Sequence, residues 1–462
     1  MRWKTMLGVM IAAAVCAAGS AGARAQDEAP AEPPAPPTTV AAATPDTPAG
    51  EHLAWFLHAL AQTTPPSADE VERRFTPEFL AQVPTTNFIA LTKGIRGQVG
   101  SVVLESVRED SAHQLVATLF SPKLNQPFAL SIATEPDPPH RVHTLLMRPL
   151  PKRPQEGDTW DNIDDDLSEF AERVSIGAYR VREGGALQPI HMLHEREPLA
   201  IGSAFKLWIL GALADAVREG RLRFDDPLPV RGEWKSLPSG RMQDEAPGAT
   251  FPLAHYAAQM ISISDNTATD HLLLLLGRER VEATMARFCA RPERNRPMLT
   301  TRDMFALKLS PDAALTERYL AEDEAGRRAM LEGEVASIVP NLVMASFWVA
   351  PRMIDTLEWF ASTEELCETI AHLARVGGEE TMAPVMQALS LNPGVPLDRA
   401  VWAGFAYKGG SEPGVMNMTY WLLRHDGERF ALSMTANDPN EAFDQTTMAG
   451  LVERAIALLA RE

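Results

Sequence analysis

The chain of 462 residues has only three cysteines, and one of them, Cys16, lies within the first 25 residues. Because no cysteines and histidines are spaced as metal ligands, the sequence predicts no zinc cluster or other metal site, and we expect no cofactor. The remaining two, Cys289 and Cys367, can form one disulfide in an oxidising compartment or stay free and buried. The sequence leaves both possibilities open.

Positive charge is also scarce, since 43 lysines and arginines stand against 61 aspartates and glutamates, for a formal net charge of −18. So acidic a chain is a poor candidate for binding nucleic acid or anionic membrane surfaces. No internal stretch has the eighteen or so uncharged apolar residues of a membrane span. With 45% hydrophobic and 23% charged residues, the composition is that of a soluble globular protein.

The first 25 residues have the features of a secretory signal peptide. Arg2 and Lys4 precede the apolar run MLGVMIAAAVCAAGSAGA, and the small residues of ARA suit cleavage after Ala25. An uncleaved membrane anchor is the alternative interpretation. We therefore predict a periplasmic or secreted protein with no membrane span once the signal is removed.

The rest of the chain divides into two predicted domains, an α+β arrangement overall. Residues 26–49 hold seven prolines and form a predicted disordered linker. In residues 50–150, the helical patterns EHLAWFLHALAQT and ADEVERRFTPEFLAQV precede four strands in a meander. This order resembles the small cone-shaped domains of the nuclear-transport-factor-2 and ketosteroid-isomerase type. A proline-rich linker, 151–165, follows.

The second domain, 166–462, opens with a helix and two strands and has a long helical middle. That middle includes FWVAPRMIDTLEWFASTEELCETIAHLARVG, whose apolar residues are helically spaced. Three strands and an amphipathic helix end the chain. Strands at both ends of a domain, enclosing helices, predict one antiparallel sheet built from the two termini.

One lysine interrupts an otherwise apolar helix in LAIGSAFKLWILGALADAV, residues 199–217. Ser203 and Lys206 are three positions apart and share a face of this helix. Burial lowers the pKa of an amine, and a neutral amine beside a hydroxyl can act as a general base. The pair therefore predicts a serine nucleophile, although composition alone also produces Ser-x-x-Lys by chance.

Two further motifs follow in order along the chain. Ser264-Asp265-Asn266 precedes a helical pattern, and Lys408-Gly409-Gly410 lies on a predicted strand, at its end before a glycine-bearing turn. Together with Ser203 and Lys206 they resemble the signature of class A β-lactamases and penicillin-binding proteins. The resemblance covers roughly residues 166–462 and implies a β-lactamase-like sandwich, in which an antiparallel sheet is joined to a helical domain.

The resemblance also implies catalytic roles for four side chains. Ser203 would be the acylated nucleophile and Lys206 its base. Ser264 would pass a proton to the leaving group, and Lys408 would attract a substrate carboxylate and polarise Ser264.

Four further residues would bind the substrate. Asn266 would hold its amide, and Gly409 and Gly410 would let the strand approach it closely. The backbone N–H groups of Ser203 and Ser411 would form the oxyanion hole.

The loop after the Ser-Asp-Asn helix departs from class A β-lactamases, which carry there a glutamate that activates the deacylating water. Here the loop reads ARPERNRPMLTTRDM and looks shortened, with Glu293 as its one nearby upstream carboxylate. Glu293 could act as this base or be a solvated surface charge, and Lys206 could serve both half-reactions instead.

The sequence therefore predicts an exported serine hydrolase that acts through an acyl-enzyme on β-lactams or small esters. A D,D-peptidase acting on peptidoglycan stem peptides is one alternative. A penicillin-binding sensor or sink that is acylated without efficient turnover is the other.

Overall fold

The computed structural model describes residues 43–124, 126–150, 152–338 and 348–462. The predicted signal peptide, and the predicted linker as far as residue 42, lie outside the described residues. The chain divides into two compact units, with the division between Arg153 and Pro154. The predicted two-domain α+β fold class is confirmed.

The described residues of the first unit form four helices and then a four-stranded antiparallel sheet, whose strands are neighbours in chain order, as the predicted meander requires. The elements are α1 (Pro48–Ala61), α2 (Ala68–Arg74), α3 (Pro77–Gln82), α4 (Thr85–Val99), β1 (Val103–Ser111), β2 (Gln114–Ser121), β3 (Gln126–Thr134) and β4 (Val142–Pro149). Its core includes Phe56, Phe75, Phe79 and Phe88. Burial of such rings stabilises by about 1.5–3 kcal/mol each.

The second helical pattern of this unit was predicted as continuous, and the structure corrects this. The helix ends at Arg74, and a new one begins at Pro77, which Thr76 caps with its side chain. Proline has no N–H to donate within a helix but fits its first turn. Helix α1 begins at Pro48, inside the predicted linker.

The second unit is built on a five-stranded sheet in the order β11-β12-β13-β5-β6, with every neighbouring pair antiparallel. Its strands are β5 (Arg173–Val181), β6 (Leu187–Leu193), β11 (Trp402–Glu412), β12 (Val415–Arg424) and β13 (Arg429–Asn437). Two small ladders pair β7 (Leu199–Ala200) with β10 (Phe360–Ala361) and β8 (Pro227–Pro229) with β9 (Thr250–Pro252). The sheet is thus built from both ends of the unit, as predicted.

Helices cover both faces of this sheet. They are α5 (Trp160–Phe170), α6 (Lys206–Arg218), α7 (Leu253–Ser262), α8 (Asn266–Leu276), α9 (Arg278–Met285), α10 (Thr301–Lys308), α11 (Ala313–Ala321), α12 (Glu324–Glu332), α13 (Thr363–Gly377), α14 (Ala383–Ser390) and α15 (Gln445–Leu459). Helices α5 and α15 share one apolar core with the sheet, and α6 and α13 belong to the core on its other side. This is the predicted sandwich.

Three local predictions need correction. Helix α5 begins at Trp160, inside the predicted linker, because Thr159 and Asn162 form a capping box. In the long helical middle, the described residues from 348 to 359 are not helical, and α13 begins only at Thr363, after Ser362 caps it. Strand β11 continues to Glu412 and does not end at the lysine motif.

Cys289 and Cys367 are both free and buried. Within the described ranges, every helix is too short or too polar to cross a membrane.

Candidate active site

Ser203 lies in a 3₁₀ turn of four residues that leads directly into α6. Gly202, at the start of the turn, has φ +49°, in the left-handed region that favours glycine. A Cβ at Gly202 would lie 3.0 Å from the backbone nitrogen of Ser411. A Cβ at Gly410 would overlap the backbone nitrogen of Ser203. Strand β11 therefore passes against the turn, with the backbone nitrogens of Ser203 and Ser411 close to one another.

Lys206 is the first residue of α6, and its side chain is completely buried. Its Nζ donates to the carbonyl of Ser264 at 2.7 Å, to Ser264 Oγ at 3.0 Å and to Asn266 Oδ1 at 2.8 Å. Burial holds the pKa of this amine well below its usual range, and the neighbouring charge of Lys408 lowers it further. Burial and the neighbouring charge therefore favour the neutral amine, whose two hydrogens can serve only two of these three contacts.

Ser264 lies between two lysines. Its Oγ accepts from Lys206 Nζ at 3.0 Å and from Lys408 Nζ at 3.1 Å. Its carbonyl accepts a second hydrogen bond, from Ser239 Oγ at 2.8 Å. Ser264 has φ +57°, a conformation that costs a residue with a side chain about 1–3 kcal/mol and is found mainly at functional sites.

Lys408 reaches Ser264 from β11, and only 2% of this residue is exposed. Burial lowers its pKa to about 7. Its Nζ also donates to the carbonyl of Gly409. The Lys408 amine therefore titrates near neutrality, and no carboxylate is among the hydrogen-bond partners that the described residues offer it.

Asn266 begins α8 and is buried, with both ends of its side-chain amide engaged inside the protein. Its Oδ1 accepts from Lys206, and its Nδ2 donates to the carbonyl of Leu237 at 3.1 Å. Asp265, before it, accepts from the backbone nitrogens of Ala268, Arg241 and Met242. Asp265 therefore holds the loop in place, and Asn266 orients Lys206.

A pocket of about 280 Å³ opens beside these residues. Six of the eight predicted site residues line it: Ser203, Ser264, Lys408, Gly409, Gly410 and Ser411. Lys206 and Asn266 are buried behind Ser264 and are not part of the lining. The Ser203 hydroxyl forms no hydrogen bond with any residue that the structure describes.

Sequence reasoning missed other residues at this site. Ser239 lines the pocket from a loop remote in sequence, and no local pattern points to it. Tyr407 lines it from β11, where strand alternation could have placed it on the same face as Gly409.

Asp270 is buried on α8, and burial raises its pKa to about 7. It accepts from the backbone nitrogen of Thr301 and so ties α10 to α8.

Glu293 is exposed and lies in a short 3₁₀ turn, Pro292–Asn295. The turn is fixed to β10, because the Asn295 side chain exchanges hydrogen bonds of 2.8 and 2.9 Å with the backbone of Phe360. Glu293 is not among the residues around the Ser203 pocket. In the described part of the pocket wall, no residue is a carboxylate.

These features together resemble the site of a known class of protein. Class A β-lactamases and penicillin-binding proteins share the arrangement of a serine at the start of a helix, an amine one turn later, and a second serine beside a lysine motif. The comparison with family models agrees, since residues 159–317 match one described as the beta-lactamase enzyme family. The resemblance predicted from the sequence is confirmed for this part of the chain.

The first unit matches a different family model. Residues 44–137 match one described as the N-terminal part of the ORF 12 gene product. The predicted likeness to the nuclear-transport-factor-2 and ketosteroid-isomerase type stays a prediction. No curated protein matches the chain.

Several solved structures are similar to this chain. A beta-lactamase from Sphaerobacter thermophilus DSM 20745 is 20% identical, with 65% of this chain and 97% of that chain covered and a TM-score of 0.44. A beta-lactamase from Chitinophaga pinensis DSM 2588 is 16% identical, with 65% and 97% covered and a TM-score of 0.45. A structure of PBP-A is 15% identical, with 67% and 98% covered and a TM-score of 0.42.

Proposed function

We propose that this protein is an exported serine hydrolase that acts on β-lactams or small esters through an acyl-enzyme on Ser203. The observation that carries the proposal is the pair of hydrogen bonds that joins Ser264 Oγ to Lys206 and Lys408 beside Ser203. A nucleophile, a base of lowered pKa and a proton relay then share one pocket.

Acylation begins when neutral Lys206 takes the proton of Ser203. A neutral amine donates two hydrogens and offers one lone pair. The carbonyl of Ser264 and Oδ1 of Asn266 accept those two hydrogens. The lone pair then lies on the side of Ser264 Oγ, 3.0 Å away, where it can accept a hydroxyl proton. Ser203 Oγ attacks the substrate carbonyl, and the oxyanion is stabilised by the backbone N–H groups of Ser203 and Ser411.

Collapse of the tetrahedral intermediate breaks the bond to the leaving nitrogen or oxygen. Ser264 gives its hydroxyl proton to that atom and regains one from Lys206, which is then neutral again. Lys408 donates to Ser264 Oγ and so orients the hydroxyl toward the leaving group. In deacylation Lys206 accepts a proton from water, and the resulting hydroxide attacks the carbonyl of the acyl-enzyme. Ser203 Oγ then leaves with the proton that Lys206 returns to it, and Lys206 is neutral again.

A sink that stays acylated is the second candidate, favoured by the lack of a carboxylate in the described lining of the pocket. A positioned general base contributes about 10²–10⁴-fold. Without such a group for water, acylation outpaces deacylation. A D,D-peptidase would share the same chemistry, and a peptide ending in D-Ala-D-Ala would identify it by release of D-alanine.

Covalent labelling tests the nucleophile. The purified chain is incubated with a fluorophosphonate and separately with penicillin G, then weighed intact and mapped by peptide mass spectrometry. We expect one adduct, on Ser203, and none in Ser203→Ala. Ser262→Ala is the matched control, because Ser262 lines the same pocket while its hydroxyl bonds to the carbonyl of Ala258. Full labelling of Ser203→Ala would overturn the proposal.

Export is part of the same proposal, and it is supported by the charged start and apolar run of residues 1–25. Expression of the whole chain in a Gram-negative host, followed by N-terminal sequencing of the periplasmic fraction, tests it. We expect the mature chain to begin at Gln26. A chain recovered only in the cytoplasm with residues 1–25 intact would contradict export.

A further inference from the structure

Tyr407 and Gly409 lie on the same face of β11, because they are two residues apart in a strand. A Cβ built at Gly409 would overlap the phenol oxygen of Tyr407 and would lie 3.0 Å from its Cζ. The hydroxyl of Tyr407 therefore occupies the space in which a side chain at position 409 would begin. Both residues line the pocket that contains Ser203.

The phenol ring of Tyr407 is held in place by its neighbours, while its hydroxyl has no hydrogen-bond partner among the described residues. Its ring packs on Tyr420, with ring centroids 4.6 Å apart and planes at 32°. Gly394, at φ +68°, makes room for it, since a Cβ there would overlap the Tyr407 ring. The Tyr407 hydroxyl forms no hydrogen bond with any residue in the described ranges. Burial raises its pKa to about 12, so it stays a neutral donor.

The surroundings of this hydroxyl are polar but carry little charge. On the described wall of the pocket, Lys408 is the one cationic side chain, and its amine is bonded to Ser264 and to Gly409. The nearby polar side chains are neutral, including Asn392 and Gln445. A neutral acceptor on a substrate therefore fits this place better than a carboxylate, which needs a full positive charge to offset its desolvation.

The position along β11 indicates which part of the substrate would reach Tyr407. Ser411 lies beside Ser203, where the reacting carbonyl binds, and Gly409 is two residues away, about 7 Å along the strand. Lys408, the residue directly before Gly409, contacts Ser264, which protonates the leaving atom in the proposed mechanism. Gly409 and the Tyr407 hydroxyl thus lie on the leaving-group side.

We propose that Tyr407 is a specificity-determining, substrate-binding residue, whose hydroxyl donates a hydrogen bond to a neutral carbonyl on the leaving group of the substrate above Gly409. The inference rests on the proposed function and adds a substrate class to it. The preferred substrates are acyl compounds whose leaving group carries an amide or ester carbonyl.

Three acetate esters that differ only in the alcohol test this directly. The alcohols are N-methylglycolamide, glycolate and 1-propanol, which present a neutral carbonyl, a carboxylate and an alkyl group at the same distance from the scissile bond. Release of acetate by the full chain gives kcat/KM for each. We expect the wild type to prefer the glycolamide ester.

Tyr407→Phe removes only the hydroxyl. We expect it to lower kcat/KM for the glycolamide ester about five- to tenfold, as for loss of a neutral hydrogen bond, mainly through KM. The propyl ester should change less than twofold. Equal losses on all three esters, or no loss on the glycolamide ester, would overturn the inference.

Gly409→Ala provides an independent check, because its methyl group must displace the Tyr407 hydroxyl. It should cause the same selective loss, and in the double variant with Tyr407→Phe the losses should be less than additive. Additive losses would contradict the inference that both substitutions remove the same hydrogen bond from the Tyr407 hydroxyl. A wild type that is active but does not prefer the glycolamide ester overturns this inference alone. A wild type that hydrolyses none of the esters and acquires no label on Ser203 overturns the proposed function as well.

Discussion

Asn266 Oδ1 accepts a 2.8 Å hydrogen bond from the buried Nζ of Lys206. This hydrogen-bond partner of the buried amine is therefore a neutral amide, where a carboxylate that forms an ion pair would be expected. A carboxylate in the same place would stabilise the ammonium form. Asn266 therefore helps to keep the Lys206 pKa low, which a general base at neutral pH requires.

The variant Asn266→Asp tests this relationship. The added negative charge should raise the pKa of Lys206, so the pH profile for acylation of Ser203 should shift upward by about 1–3 pH units. Activity should be lost near neutrality and recovered at higher pH. Asn392→Asp, which adds the same charge at the exposed edge of the pocket, should shift the profile far less. Equal shifts in both variants would contradict a specific effect on Lys206.

The second prediction concerns Lys408, whose amine is charged below a pKa of about 7 and neutral above it. Any advantage that it gives an anionic substrate is therefore present below pH 7 and is lost as the pH rises through that value. The ratio of kcat/KM for the glycolate and propyl esters should fall between pH 6 and pH 8.5. A charge-assisted contact is worth about 1.5–3 kcal/mol.

Lys408→Ala should make that ratio independent of pH while lowering turnover of both esters, because Ser264 loses its partner. A flat ratio in the wild type would mean that Lys408 acts only on Ser264. The carboxylate-binding role expected from the sequence would then be wrong.

The close approach of β11 to the Ser203 turn gives the third prediction. Gly410→Ala places a methyl group against the backbone nitrogen of Ser203 and should push the strand, with Ser411, away from it. Loss of one oxyanion donor lowers kcat about 10²–10³-fold. Gly404→Ala is the control on the same strand, because its Cβ would meet Leu423 at an ordinary 3.7 Å. Wild-type kcat in Gly410→Ala would contradict the proposed oxyanion hole.

A buried ionic cluster behind the site gives the fourth prediction. Lys308 Nζ lies 2.6 Å from Glu358 and 2.5 Å from Glu412, the residue after Ser411. Lys308→Met leaves two buried carboxylates without their cation, which should cost about 3–5 kcal/mol of unfolding free energy. Urea denaturation measures this loss. Arg221→Met removes an exposed ion pair with Glu219 and should change the unfolding free energy little. An equal loss of unfolding free energy in both variants would contradict a stabilising role specific to the buried cluster.

Features that depend on residues close together in the sequence were predicted correctly in most cases. The spacing of Ser203 and Lys206, the Ser-Asp-Asn motif and the lysine on a strand correctly indicated residues that meet at one site. The strands predicted at both ends of the second domain correctly indicated one antiparallel sheet. The break at Thr76 and Pro77 was missed because apolar spacing alone does not show that a proline starts a new helix.

Other features depend on contacts between distant residues. Lys308 and Glu412 are 104 positions apart, and neither belongs to a motif. The hydroxyl of Tyr407 over Gly409 depends on a ring orientation fixed by Gly394 and Tyr420, and a strand pattern does not specify this. Glu293 was a candidate base by its position in the sequence, but its turn is fixed to Phe360 through Asn295, and Glu293 is not among the residues that line the Ser203 pocket.

The most direct test of the central claim is rapid-quench mass spectrometry during turnover of a chromogenic cephalosporin. We predict a burst of about one product per enzyme, then slow steady turnover, with the acyl adduct on Ser203 during both phases. Glu293→Gln should leave burst and steady rate unchanged, since its exposed carboxylate is away from the pocket. Rapid linear turnover without a Ser203 adduct, or turnover abolished in Glu293→Gln, would contradict the account.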